Sequence, residues 1–132
     1  MIPYSTEFDP SAPMLTVQIT GVVHSRPRVT LPALLDTGSD FTAVPASLVS
    51  RLKLYAVRPT LLEDFSGETR EEFLYSVSLG YANQPAREMQ VMVTGLPFVI
   101  LGRDWLSDYY VMLDGPDQQF QISKTPLFDQ AP

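Results

Sequence analysis

Ala33-Leu34-Leu35-Asp36-Thr37-Gly38-Ser39-Asp40 is the stretch on which the reading of this chain turns. Three apolar residues deliver an acid into a turn that contains glycine. A carboxylate at the end of an apolar strand is costly unless it is hydrogen-bonded or does chemical work. Gly38 lets the backbone turn tightly and come close to the acid. Thr37 and Ser39 offer hydroxyls that can orient neighbouring groups. Taken alone, the run also suits an ordinary turn in which Asp36 accepts a backbone N–H. The surrounding chain has to decide between the two.

Upstream, Leu15, Val17 and Ile19 alternate with polar residues, the period-2 mark of a half-buried strand. His24-Ser25-Arg26-Pro27 is a turn, and Val29–Leu35 is the returning strand of a hairpin. Pro32 within it indicates an edge position or a bulge. Downstream, Phe41–Val44 is predicted as a short strand. Pro45 is placed as the first residue of a short helix, where its missing N–H costs nothing, with Leu48, Val49 and Leu52 on its apolar face. Leu61–Phe65 and Phe73–Leu79 read as the arms of a long hairpin. Its polar connection, Ser66 to Glu72, projects into solvent. Tyr81 to Pro85 is a turn, and Met89, Val91 and Val93 alternate again.

Val99-Ile100-Leu101 is continuously apolar and suits a buried strand that ends at Gly102. A short helix is predicted over Arg103–Tyr109. Val111–Leu113 and Phe120–Ile122 flank the turn Asp114-Gly115-Pro116-Asp117. Residues 1–13 read as an irregular arm and 124–132 as a proline-rich tail. The whole is an all-β chain with one or two short helices.

Composition narrows the function classes. The 132 residues fit one domain, 1–132, with 45% hydrophobic and 18% charged residues. Twelve prolines and six tyrosines favour strands and turns. The net charge of −6 argues against a nucleic-acid partner, since phosphate binding needs clustered Lys and Arg. No cysteine is present, so neither disulfide nor thiolate chemistry is available. No membrane span and no signal peptide is visible, and with the missing cysteines this suggests a cytoplasmic location. His24 is the single histidine and sits in a turn. Asp104, Asp108, Asp114 and Asp117 match no calcium-loop pattern. No metal and no cofactor is expected.

Together, the Asp36-Thr37-Gly38 loop, the hairpin with Gly67 near its tip, and Val99-Ile100-Leu101-Gly102, in that order, resemble the retropepsin-like aspartic peptidases. The resemblance spans about residues 14–123. It implies a closed β-barrel domain working as a C2 dimer, because this chain holds a single Asp-Thr-Gly. It implies an aspartic endopeptidase in which Asp36, Thr37 and Gly38 form the catalytic loop. Two Asp36 carboxylates, one from each subunit of the homodimer, share a proton and activate a water against an extended polypeptide substrate. Thr37 then lies at the interface between the two loops.

By the same resemblance Ser39, Asp40, Phe65, Ser66, Gly67, Glu68 and Ile100 line the substrate cleft, the hairpin acting as a flap. Asp40 and Arg103 stand where viral members have a bracing ion pair, and Arg suits a carboxylate through its planar fork. Two departures stand out. Ser39 replaces the Ala usual in viral members, and the flap is acidic and poorer in glycine. The competing reading is a catalytically silent dimeric adaptor of the same fold that holds extended peptides by strand addition.

Overall fold

The structure is a computed structural model and describes residues 1–24, 26–63 and 66–127. Two sheets carry almost all of the regular structure. Strand β2 (Met14–Gly21) buries alternate residues, with Leu15, Val17 and Ile19 inward, as their period-2 pattern requires. It pairs antiparallel with β3 (Val29–Leu35), from Met14↔Leu34 to Ile19↔Val29. On its second side β3 meets β8 (Val99–Leu101), but only from Ala33 onward. Pro32 therefore lies in the half of β3 that is paired on one side, where a missing donor is tolerated.

The remaining strands close a ring. β8 runs antiparallel to β4 (Ala43–Pro45), which lies parallel to β7 (Arg87–Thr94). β7 pairs with β6 (Thr69–Tyr81), and β6 returns to β2 through Val17↔Tyr81 to Gly21↔Val77. The expected closed barrel is thus formed by β2, β3, β8, β4, β7 and β6. β6 has 13 residues and outruns the barrel. Its leading half pairs with β5 (Ala56–Glu63) to make a projecting hairpin. A second sheet, in the order β1-β10-β9, joins β1 (Ile2–Pro3), β10 (Gln119–Ser123) and β9 (Tyr110–Asp114).

Leu15, Val17, Ile19, Val77, Leu79, Val91, Val99 and Leu101 fill the barrel, and Trp105 and Phe120 join the same buried cluster. Phe120 ties the small sheet to that core. Tyr109 stacks on Trp105 at 4.4 Å between ring centroids, and Tyr81 meets Trp105 edge-on at 5.9 Å.

Several boundaries differ from the sequence reading. Pro45 is the last residue of β4, not the first of a helix. Helix α1 is Leu48–Arg51, roughly one turn, because Ala46 bonds back to Thr94 and delays helical geometry. Helix α2 is Arg103–Leu106, shorter than the expected Arg103–Tyr109. The polar stretch Thr69–Glu72 belongs to β6, paired with Thr60 to Glu63. Its polarity reflects a hairpin with both faces in water, so composition alone misled. The predicted arm at 1–13 is partly regular, through β1 and a bridge between Ser5 and Ala12. The predicted strand Leu61–Phe65 and the tail 124–132 extend in part outside the described residues.

Candidate active site

Asp36 follows the last residue of β3. Its N–H donates to Leu101 O at 3.0 Å, carrying the β3–β8 ladder one step into the loop. The half-buried Asp36 carboxylate accepts the Gly38 N–H on Oδ1 at 3.0 Å. Ser39 N–H donates to Asp36 O at 3.2 Å. One oxygen of the acid is thereby held against its own turn, while the polar loop stays open to solvent at Thr37 and Gly38. A Cβ on Gly38 would lie 3.2 Å from Asp36 Oδ1, so glycine is what permits this approach.

The loop is braced from behind by the start of α2. Gly102 lies against the Phe41 and Ser39 backbone so closely that a Cβ would come within 2.6 Å of Phe41 C and O. Arg103 N–H donates to Ser39 O at 2.8 Å. The Arg103 side chain donates Nη1 to Thr37 O at 2.6 Å and pairs through Nη2 with Asp40 Oδ1. The expected ion pair is present, but the guanidinium also grips the loop carbonyl. Both charged side chains are more than half exposed, 51% and 74%. Their pairing therefore adds little stability, and its worth is geometric.

A second brace was not foreseen. Thr42, 0% exposed, donates its hydroxyl to Asp104 Oδ1 at 2.7 Å and its N–H to Asp104 Oδ2 at 3.0 Å. The same hydroxyl accepts Gly102 N–H at 3.1 Å. Asp104 so accepts both donors of a buried threonine, whose carbonyl accepts Met92 N–H at 2.9 Å, and locks the loop exit to α2. Leu35 N–H also donates to Pro13 O at 3.1 Å, which pins the loop entry to the N-terminal segment. The one available signal was Thr42 itself, a polar residue inside an apolar predicted strand.

The structure gathers Asp36, Thr37, Gly38, Ser39, Asp40 and Arg103 into one hydrogen-bonded unit. Ile100 sits on β8 beside Leu34 and Ala43, half-buried, in alternation with the core residues Val99 and Leu101. Ser66, Gly67 and Glu68 occupy the exposed tip of the β5–β6 hairpin instead, with Gly67 at φ +84°, a backbone conformation that favours glycine. Phe65 lies outside the described residues. Among the described residues no cluster of three or more metal-ligating side chains is formed. No helix of the described residues is long and apolar enough to cross a membrane.

The sequence profile of the retroviral aspartyl protease family matches residues 10–114. No curated protein matches the chain by sequence. Among solved structures, the EIAV protease complexed with the inhibitor HBY-793 is similar, with a TM-score of 0.54 and 28% identity over 81% of this chain and 93% of that one. The simian foamy virus (mac) protease in solution has a TM-score of 0.54 and 17% identity, covering 72% of this chain and 92% of that one.

Proposed function

Because this chain belongs to the retroviral aspartyl protease family, we propose that it is an aspartic endopeptidase completed by a second copy of itself. The observation that carries the reading is the Asp36 carboxylate, held by Gly38 N–H on a loop that β8 and Arg103 brace from behind. A turn this heavily fixed around a half-buried, solvent-reachable acid serves a reaction better than it serves folding. One chain supplies a single acid of this kind, and an isologous dimer places the partner subunit's Asp36 beside it.

Two such carboxylates share one proton, since like charges in contact do not both ionise. The ionised acid takes a proton from the water lying between them as its oxygen attacks the scissile carbonyl carbon. The protonated acid donates to the carbonyl oxygen. The tetrahedral intermediate collapses when the amide nitrogen takes up a proton and the C–N bond breaks. No covalent enzyme intermediate forms. Thr37, exposed in the single chain, faces the partner loop, and its carbonyl is held by Arg103.

Substrate lies extended across Ser39, Asp40 and Ile100 and beneath Ser66, Gly67 and Glu68 of the hairpin. The full 132 residues act as one peptidase domain. Asp36→Asn keeps the size and the acceptor oxygen but removes the charge. Cleavage of an unfolded protein should disappear in this variant, and sedimentation should show the same oligomer as the parent. Undiminished cleavage would overturn the proposal. A peptide bound equally by both forms and never cut would point to an adaptor instead.

A further inference from the structure

Charge is sorted unevenly along this chain. It has 15 acids to nine bases, yet between Pro10 and Leu62 the acids are Asp36 and Asp40 alone, against Arg26, Arg28, Arg51, Lys53 and Arg58. Among the described residues the ion pairs engage Arg70, Arg87 and Arg103, and none of those five bases has an acidic partner. Two of the five are held by neutral amides instead. Arg28 donates Nη1 to Gln18 Oε1 at 3.2 Å, and Arg58 donates Nε to Gln90 Oε1 at 3.0 Å. A glutamine fixes a guanidinium without cancelling its charge, and it leaves most of the planar fork for an anion.

Both guanidiniums lie on the outer wall of the barrel, along β6. Gln18 stands opposite Gly80 and Gln90 opposite Ser76, so the two cations mark the ends of residues 76–80. That span is about 13 Å at the rise of a strand. A cavity of about 210 Å³ opens at one end, between Arg28, Thr20, Ser78 and Gly80. A second, of about 200 Å³, opens at the Ser76 end and is walled by Val22, Val23, Lys53, Tyr55 and Val57. Those walls come from two loops that pack on Gly21, where a Cβ would lie 3.0 Å from His24 O and 3.1 Å from Leu52 O. Val23 and Tyr55 are 70% and 60% exposed, so apolar surface adjoins the cations. Glu88, opposite Ser78, puts one acid at the middle of this face, and neither guanidinium pairs with it.

We propose that this wall is a binding site for an extended acidic peptide, apart from the Asp36 loop. One carboxylate sits on Arg58, with Lys53 at the same end, and a second sits on Arg28 about four residues along the peptide. An apolar side chain beside the first acid fills the cavity at Val22, Tyr55 and Val57. Glu88 repels any acid between the two ends. Serine, threonine and glutamine side chains of the floor donate and accept along the peptide. A concave polar floor does not match a flat bilayer, and Glu88 opposes the unbroken phosphate row of a nucleic acid. In the ring of barrel strands β6 lies opposite β8, so the occupant sits across the barrel from the strand that braces the Asp36 loop.

The probe is a fluorescein-labelled peptide, Leu-Asp-Ser-Ser-Ser-Asp, titrated by anisotropy against the Asp36→Asn protein so that it is not cut. Arg28→Gln and Arg58→Gln, each added to that protein, should weaken binding about threefold, and both together about tenfold. Lys124→Gln removes the same charge from another face, where Lys124 rests over the Tyr109 ring, and should change nothing. The peptide with Asn for both Asp should bind at least about tenfold more weakly. Circular dichroism checks folding, and if the double variant does not fold, the single variants and the two peptides decide. An Asp peptide bound no better than its Asn counterpart, or held equally by the arginine variants, would overturn the site. Phosphatidylserine vesicles or single-stranded DNA bound more tightly than the peptide would overturn the peptide assignment. Neither result bears on cleavage, which the loss of activity in Asp36→Asn tests separately.

Discussion

Replacing Thr42 by Val tests the hidden brace with almost no change of shape. The hydroxyl makes two buried bonds, to Asp104 Oδ1 at 2.7 Å and from Gly102 N–H at 3.1 Å. Losing a hydrogen bond to a charged acceptor costs about 1.5–3 kcal/mol, and leaving a buried N–H without an acceptor costs about 1–3 kcal/mol. Thr42 is fully buried, so water cannot stand in. The two losses share one atom and do not simply add, which puts the expected cost at about 3 kcal/mol. That is a large share of the ~5–15 kcal/mol by which domains are stable. Thr42→Ser keeps the hydroxyl and deletes one methyl, for a cost of about 1 kcal/mol. The assay is urea unfolding in an Asp36→Asn background, which removes self-cleavage, at one fixed protein concentration because dimerisation contributes to stability. With urea slopes of ~1–3 kcal/mol/M, the Val midpoint should fall by roughly 1–3 M. A Val variant within about 0.5 kcal/mol of its parent, or a Ser variant as unstable as Val, would refute the reasoning.

Gly102→Ala should cost about 1–3 kcal/mol and lower kcat by as much as about a hundredfold. At φ −86° and ψ −177° alanine is conformationally allowed, so the cost is the clash with Phe41 and Ser39, whose backbone carries the loop. An alanine variant with parental kcat would show that the loop yields without consequence. Tyr81 and Tyr109 set an alkaline limit. Burial raises both phenols above the ordinary 10.0, and for Tyr109 the Asp108 carboxylate and Tyr81 add to the rise while Arg87 opposes it. The folded chain therefore holds these protons longer than the unfolded one. Their contribution is whole below about pH 10 and declines as the pH rises through the folded values. Unfolding midpoints measured across that range should drop for the parent and drop less for a Tyr81→Phe, Tyr109→Phe double variant.

Local pattern alone determined much of this protein. Alternation at Leu15, Val17 and Ile19 marked β2, and the unbroken run Val99-Ile100-Leu101 marked β8 with its observed bounds. An acid set between three apolar residues and a glycine marked the loop that the structure builds around Asp36. Burial against a barrel imposes these patterns residue by residue, so they survive in one dimension. Patterns faded where water touches both faces of an element. Thr69–Glu72 looked like a loop because no core selects one face of a projecting hairpin.

Only the tertiary structure decided what depends on contacts between distant residues. Thr42 and Asp104 lie 62 residues apart, and no period connects them. Gly102 read as the end of a strand, whereas its role is to let Phe41 and Ser39 come closer than any side chain would allow. β1 pairs with β10 across almost the whole chain, which makes β10 the middle strand of the small sheet. Such choices follow from packing in three dimensions: which backbone groups find partners, and which edge is left without one.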